Sequence, residues 1–419
     1  MIQSIRFSDL VEINPKVELI RGEEYPFIDM AIVEPGRRYV RAIELRKYSG
    51  GGSKFSYGDV LFARITPCLE NGKIVQFRDN DKRCGFGSTE FFIFRAKNQI
   101  SDSAFIYYLV LTDSIRKPAE KSMSGASGRQ RADLTSIIDI EVPRFSLHSQ
   151  QKIAGILSAY DDLIDVNTQR IRILEEMMQA IFHEWFVNFH FPGHKDVRMV
   201  KSELGPLPDG WEIKKISEIC ASISDGDWIE TKDQGGEDYR LLQVSNIGIG
   251  EFIETGNFRY ITKETFERLH CLEILPEDIL ISRMPKPTGR AWLVTEQEWK
   301  MITAVDVAVI KTDTTLAHPQ FLVNHLNSPA QLDLVEKHTT GTTRPRISRS
   351  ALSNLNLCLP PIEIQNLFGT ISDTLYTEMV SLRKMNINLG RTRDLLLPKL
   401  ISGEIDVSKL DIRIPEAES

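Results

Sequence analysis

Gly125-Ala126-Ser127-Gly128-Arg129-Gln130-Arg131 and Gly341-Thr342-Thr343-Arg344-Pro345-Arg346 decide the reading of this 419-residue chain. Each stretch is short, rich in Gly, Ser or Thr, and ends in spaced arginines. Each is followed by an apolar strand that stops at proline, at Val142-Pro143 and at Leu359-Pro360. Two matching passages, half a chain apart, call for a search for self-similarity before any search for motifs.

Working outward, the match extends nearly end to end. At offsets of roughly 214 to 219 positions, Glu24-Tyr25-Pro26-Phe27-Ile28-Asp29-Met30 answers Asp238-Tyr239-Arg240-Leu241-Leu242-Gln243-Val244. Gly58-Asp59-Val60-Leu61-Phe62-Ala63-Arg64 likewise answers Glu277-Asp278-Ile279-Leu280-Ile281-Ser282-Arg283, and each of these passages reads as a short strand. Glu90-Phe91-Phe92-Ile93-Phe94 corresponds to Asp306-Val307-Ala308-Val309-Ile310, and Phe105-Ile106-Tyr107-Tyr108-Leu109 to Phe321-Leu322-Val323-Asn324-His325. The order of elements is the same in both halves.

After each proline the apolar period changes from two to seven. Ile153, Leu157, Tyr160, Ile164, Asn167, Ile171, Leu174, Met178, Ile181 and Trp185 alternate by four and three, as a coiled-coil seam does. Phe368, Ile371, Leu375, Glu378, Leu382, Met385, Leu389, Thr392 and Leu396 repeat the pattern in the second half. Two long helices with matching seams are expected to pair, and the repeat order permits an antiparallel pair. Asn167 at a seam position is expected to cost stability and fix register. A helix of roughly 35 residues spans about 50 Å, longer than a domain. Two similar readers held a fixed distance apart resemble the way dimeric DNA-binding proteins read paired half-sites.

Composition bounds the function. Hydrophobic residues make up 42% of the chain and charged residues 26%, as in ordinary globular proteins. No run approaches the ~18 apolar residues of a membrane span, and the first residues lack a signal-like pattern, so a cytoplasmic location is the expectation. Cys68, Cys84, Cys220, Cys271 and Cys358 are scattered without a CxxC pair and suit neither a disulfide framework nor a zinc site. They are expected to be reduced, mostly buried thiols. The net charge of −7 opposes general phosphate binding, although residues 1 to 150 carry 22 basic against 19 acidic side chains and residues 201 to 360 carry 17 against 23. Any nucleic-acid face must then be a local patch.

Catalytic signatures are missing. Gly72-Lys73 is followed by Ile74 and lacks the upstream glycine of a phosphate loop. No glycine-rich cofactor loop occurs, and Asn14-Pro15 lacks the rest of an adenine methyltransferase motif. Pro208-Asp209-Gly210-Trp211-Glu212-Ile213-Lys214 carries nuclease-like letters too close together. His190 and His194 have ligand-like spacing but are separated by Pro192-Gly193, which suits a loop. Asp161, Asp162 and Asp165 are expected on an outward, solvated helix face. No catalytic residue, metal site or cofactor of the chain's own is therefore expected.

The basic loops are the candidate contacts, because hydroxyls and backbone N–H groups suit phosphates while arginine reaches guanine edges. One set is Ser127, Arg129, Gln130 and Arg131, matched by Thr342, Thr343, Arg344, Arg346 and Arg349. A second set follows a strand end: Arg64, Thr66, Asn71 and Lys73, matched by Arg283, Lys286, Thr288 and Arg290. Leu157, Tyr160, Ile164, Asn167, Ile171, Leu174 and Trp185, with Ile371, Leu375, Leu382, Met385 and Leu389, are the candidate helix-pairing and partner-docking positions.

Several passages, taken in order, resemble the specificity subunit of a type I restriction-modification system. They are Trp185-Phe186-Val187-Asn188-Phe189, Leu204-Gly205-Pro206-Leu207-Pro208-Asp209-Gly210-Trp211-Glu212, Gly341-Thr342-Thr343, Leu359-Pro360-Pro361 before Gln365, and Leu397-Pro398-Lys399-Leu400-Ile401-Ser402-Gly403-Glu404-Ile405. The resemblance implies an α+β protein in which two similar α/β target-recognition domains are separated by long antiparallel coiled-coil helices. The expected division is recognition domain 1 at 1–149, a central helix at 150–190, linker and recognition domain 2 at 191–361, a distal helix at 362–402 and a tail at 403–419. It implies a non-catalytic DNA reader of a bipartite, asymmetric site. Its implied partners are two methyltransferase subunits and motor-nuclease restriction subunits, which would carry S-adenosylmethionine, ATP and Mg²⁺. The alternative is a self-sufficient restriction or modification enzyme with an unrecognised active site.

Overall fold

The computed structural model describes residues 3–412 apart from positions 82, 127 and 204. It separates into two units, one of residues up to Ile171 together with those from Val380 on, the other of Arg172–Met379. Each holds one copy of the repeat.

In the first unit a five-stranded sheet has the order Val11–Ile13, Phe91–Ala96, Val60–Ala63, Ile74–Phe77, Tyr39–Val40. Its middle strands pair antiparallel, with Phe91 opposite Ala63 and Phe94 opposite Val60. Val60-Leu61-Phe62-Ala63 has no polar letter because both faces are covered. Val60 and Phe62, with Phe92 and Phe94, pack toward Phe105 and Tyr108. Leu61 and Ala63, with Phe91 and Ile93, pack toward Ile28 and Phe55. The period of two thus sorts one strand into two cores. Ile28 and Phe55 come from a second sheet, ordered Leu45–Lys47, Glu24–Ile28, Gly85–Gly87, Ser53–Phe55.

The second unit repeats this plan. Its four-stranded sheet runs Cys220–Asp225, Val307–Thr312, Ile279–Ser282, Ala291–Leu293, and its three-stranded sheet runs Tyr260–Ile261, Tyr239–Leu242, Lys300–Thr303. Leu280 opposite Val309 stands where Leu61 opposite Ile93 stands in the first copy. In both copies the strand before the first loop pairs parallel to a distant one, Phe27 with Phe86 and Leu241 with Ile302. The Phe105 and Phe321 passages form helices, Ser103–Leu111 and Pro319–Leu326. The first is capped by the Asp102 carboxylate, which accepts from the Phe105 N–H at 2.8 Å.

Two 40-residue helices, Leu147–Phe186 and Ile362–Ile401, complete the chain. Each is tied to its own domain by a buried glutamine near its start. Gln150 accepts from the Asp102 N–H at 3.0 Å and donates to the Ile100 and Phe145 carbonyls at 3.0 and 3.2 Å. Gln365 accepts from the His318 N–H at 2.9 Å and donates to the Leu316 and Pro360 carbonyls at 3.2 and 2.7 Å.

Within the first unit the helices run antiparallel: Leu157 shares a core with Leu397 and Leu400, Asp161 pairs with Arg393, and Asn167 donates to Asn386 at 2.9 Å. The seam departs from the four-three reading in detail. Leu157, Ile164, Asn167, Ile171, Phe368 and Leu382 are buried, and Tyr160, Leu174, Trp185, Leu375 and Leu389 are half-buried. Ile371 and Met385 are exposed, at 37% and 44%. Asp161 is only 3% exposed, not turned to solvent as expected. Asp162 accepts from the Tyr39 hydroxyl at 2.7 Å, and Asp165 from Arg41 at 3.1 Å. The physical reason is that the helix buries one face against its partner helix and another against the recognition domain, so a two-helix heptad describes only part of its burial. All five cysteines are unpaired thiols; Cys271 is buried and the other four are half-buried, a shallower placement than expected. No helix among the described residues is long and apolar enough to cross a membrane.

Candidate nucleic-acid interface

The two sets of loops that the sequence could only order are brought together in each unit. Where the strand Val60–Ala63 ends, the Arg64 N–H donates to the Glu90 carbonyl at 2.9 Å and the Ala132 N–H to the Arg64 carbonyl at 2.8 Å. Ser124 and Arg131 close the glycine loop by two bonds at 3.1 and 2.9 Å. In the second unit the Arg283 N–H donates to the Asp306 carbonyl at 3.0 Å and the Ile347 N–H to the Arg283 carbonyl at 3.2 Å, while Thr340 and Arg346 exchange two bonds at 2.9 Å. The same backbone frame therefore displays both loops.

In the first frame the Arg131 Nη2 and Nε atoms sit 2.6 and 2.9 Å from the two Glu90 oxygens. Arg64 Nε approaches the same carboxylate at 3.3 Å, with its guanidinium 5.4 Å above the Phe92 ring. The hydrogen bonds from Arg131, and then the nearby charges of both arginines, hold Glu90 below the usual carboxylate range despite partial burial. Asn71 and Arg129 are exposed, whereas Thr66 and Gln130 are half-buried. Lys73 is turned inward, its Nζ 2.7 Å from the Met30 carbonyl. Ser127 lies outside the described residues. Beside Arg64 a cleft of about 790 Å³ is lined by Asn14, Lys16, Lys54 and Phe92 among others.

In the second frame Thr342, Thr343, Arg344 and Arg349 are exposed and Arg346 is half-buried. Arg346 Nη2 lies 3.1 Å from Asp306 Oδ1 and Arg349 Nη1 3.8 Å from Asp225. Lys286 is exposed and pairs with Glu336. Three expected contacts are corrected: Arg283, Thr288 and Arg290 are buried, at 3%, 1% and 8% exposure. Arg290 donates to the carbonyls of Val244, Ile247, Pro285 and Pro287, groups that no strand ladder satisfies. Arg283 donates to the Val305 carbonyl at 2.6 Å and pairs with Asp225 at 2.9 Å. Burial pulls both guanidinium groups below the ordinary arginine value. These residues build the loop from within.

The acids beneath the arginines were not singled out from the sequence. Glu90 and Asp306 immediately precede the same matched strand, and that shared register was their only signal. The rejected chemical candidates are engaged locally. Asp209 pairs with Arg198 at 3.0 Å, Glu212 with Lys214 at 2.9 Å, and His190 with Glu184 at 2.9 Å, while His194 Nδ1 lies 2.9 Å from the Phe191 carbonyl.

The duplicated frames carry the pattern of a known family. The model for the type I restriction modification DNA specificity domain matches residues 3–176 and again 208–389. The chain belongs to this family, and it is a specificity subunit with two DNA-specificity domains. A specificity subunit of the type I restriction enzyme MjaIX of Methanocaldococcus jannaschii is 26% identical over 311 residues, covering 74% of this chain and 70% of that one. The HindI specificity subunit of Haemophilus influenzae is 23% identical, covering 83% and 86%. The crystal structure of a type I S subunit from M. genitalium shares the fold, with a TM-score of 0.56, 16% identity and coverage of 95% and 96%.

Proposed function

We propose that each unit reads one half of a bipartite, asymmetric DNA site and that the chain performs no chemistry itself. The observation that carries this reading is the duplication of one loop frame with different side chains in the two copies, which gives two similar readers for two dissimilar half-sites. Arg129, Arg131, Arg344, Arg346 and Arg349 are the foremost contacts, supported by Asn71, Thr342 and Thr343. The long helices dock two methyltransferase subunits, and restriction subunits join them; S-adenosylmethionine, ATP and Mg²⁺ belong to those partners. With a net charge of −7, this chain leaves part of the phosphate clamp to the methyltransferase subunits. The assembled complex works in the cytoplasm.

The test is a domain exchange. Replacing residues 1–149 by those of another specificity subunit should change one half of the methylated sequence and leave the other half intact. An unchanged methylation pattern would sink the reading.

A further inference from the structure

We infer that Glu90 and Asp306 are specificity-determining residues, each fixing one edge of an arginine fork, Arg131 or Arg346, so that its free edge reads a guanine in the corresponding half-site. This inference rests on the proposed function and names the base chemistry at one position of each half.

A guanidinium is a rigid plane with five N–H donors, and a carboxylate that takes one edge leaves the other for a ligand. Glu90 occupies the Nε and Nη2 side of Arg131 at 2.9 and 2.6 Å. Asp306 Oδ1 lies 3.1 Å from Arg346 Nη2, an ion pair without hydrogen-bond geometry, so this second hold is the looser one. Beneath each fork the backbone is pinned, by the Ser124 bonds in one copy and the Thr340 bonds in the other. An unbuttressed arginine satisfies a phosphate from many directions and carries no sequence information. A fixed one loses less rotamer freedom on binding and fits a pair of acceptors set side by side, which in the major groove is guanine O6 and N7.

An exposed ion pair alone is weak ground, because most contribute little. Here an acid, glutamate in one copy and aspartate in the other, and an arginine recur 216 and 215 positions apart, just before the same strand and in the same loop. Glu90 side-chain exposure is 18%, so its charge is partly withdrawn from water. Each carboxylate also repels phosphate, which weakens sequence-independent binding. The first copy is held at two points and the second at one, so discrimination should be sharper in the first half-site.

The full chain, assembled with its methyltransferase subunits in a host free of other adenine methylation, is assayed by mapping N6-methyladenine. The wild-type motif should contain a guanine in each half. Glu90→Gln should relax discrimination at that guanine about tenfold, leaving the second half unchanged, and Glu90→Asp should retain part of it. Arg131→Lys, which keeps the charge and loses the fork, should relax the same position. Asp306→Asn should act on the second half alone, by roughly threefold.

A first half without guanine overturns the inference. So does a Glu90→Gln complex that keeps the wild-type motif, or one that loses methylation uniformly without accepting new sequences, as a structural role would produce. Should Glu90→Gln fail to fold, Arg131→Lys decides the matter at the same base: an unrelaxed motif there overturns the inference. A wild-type complex with no two-part motif at all would instead refute the proposed function.

Discussion

The two copies attach their helices to their domains with the same backbone clamp and opposite chemistry. Gln150 and Gln365 each satisfy three main-chain groups at equivalent places. Beyond the clamp, the first unit is polar: Arg393 pairs with Asp161, which also accepts from the Tyr108 hydroxyl at 2.5 Å, and Arg38 donates to Gln76 and Ser158 at 3.0 and 2.5 Å. Arg38 stands 4.7, 5.7 and 5.2 Å from the Tyr39, Tyr107 and Tyr108 ring centres. The second unit is aromatic, with Phe186 4.9 Å from Phe321 and 5.1 Å from Phe368, and Trp211 at 6.0 Å. An aromatic cluster tolerates small shifts, whereas an ion pair out of water demands its partner. The comparison teaches that duplication preserved the clamp while the packing around it diverged.

The largest effects should come from breaking these two junctions. Arg393→Met leaves the Asp161 carboxyl buried without its guanidinium partner and should destabilise the first unit by about 3–5 kcal/mol, part of it recovered by adding Asp161→Leu, which leaves the Tyr108 hydroxyl without its acceptor. Phe368→Ala should cost the second unit about 3–5 kcal/mol through the cavity it leaves, with no second substitution of that kind to rescue it. Denaturant unfolding, with hydrogen exchange to locate the loss, separates the two. An Arg393→Met loss that Asp161→Leu fails to repair would remove the distinction.

The clamp should respond equally in both copies. Gln150→Leu and Gln365→Leu each strand one half-buried N–H and two carbonyls, a cost of about 2–3 kcal/mol. Thermal unfolding of the two variants should show losses of similar size. A large effect in one copy alone would mean that the repeated geometry no longer has a repeated energetic role.

A smaller difference is pH-dependent. Where the first copy has Leu109, the second has His325, whose ring is buried and pushed down to about 4 by desolvation, partly opposed by its Gln331 contact. A histidine depressed in the folded state binds protons better when unfolded, so stability is lost as pH falls through 6.5 toward 4. His325→Leu should remove that loss, worth about 2 kcal/mol at pH 5 and almost nothing at pH 8. Equal gains at both pH values would show packing rather than protonation.

Much of this architecture was legible because repeats and periods are properties of the sequence itself. Val60–Ala63 and Ile279–Ser282 were readable as strands from their apolar runs, and both long helices from their sevenfold pattern. Strand order was not readable, since Phe91 lies beside Ala63 only through a pairing that skips the two intervening strands, Ile74–Phe77 and Gly85–Gly87. Asp161 was misplaced because a polar letter on a helix suggests solvent, and its partners Arg393 and Tyr108 are 232 and 53 positions away. Arg283 and Arg290 looked like contacts for the same reason in reverse: a basic letter in a loop gives no hint that its fork will be spent on main-chain carbonyls, here Val305 for one and Val244, Ile247, Pro285 and Pro287 for the other.

Asn167 gives the finest test of what the polar junction does. It is 1% exposed and donates to Asn386 at 2.9 Å, with Met385 Sδ at 3.5 Å, so the expected lone polar residue is in fact half of an amide pair. Asn167→Leu alone should therefore cost about 1 kcal/mol, because the half-buried Asn386 oxygen loses its donor. Asn167→Leu with Asn386→Leu removes both polar groups and should be neutral or stabilising, as apolar replacements at coiled-coil seams often are. What the double variant should lose is register, since leucines tolerate neighbouring alignments that an amide pair does not. Methylation by the assembled complex should then spread from one spacer length between the half-sites to more than one. A single, unchanged spacer length in a stable double variant would show that the ion pair and the glutamine clamps set the register without the amides.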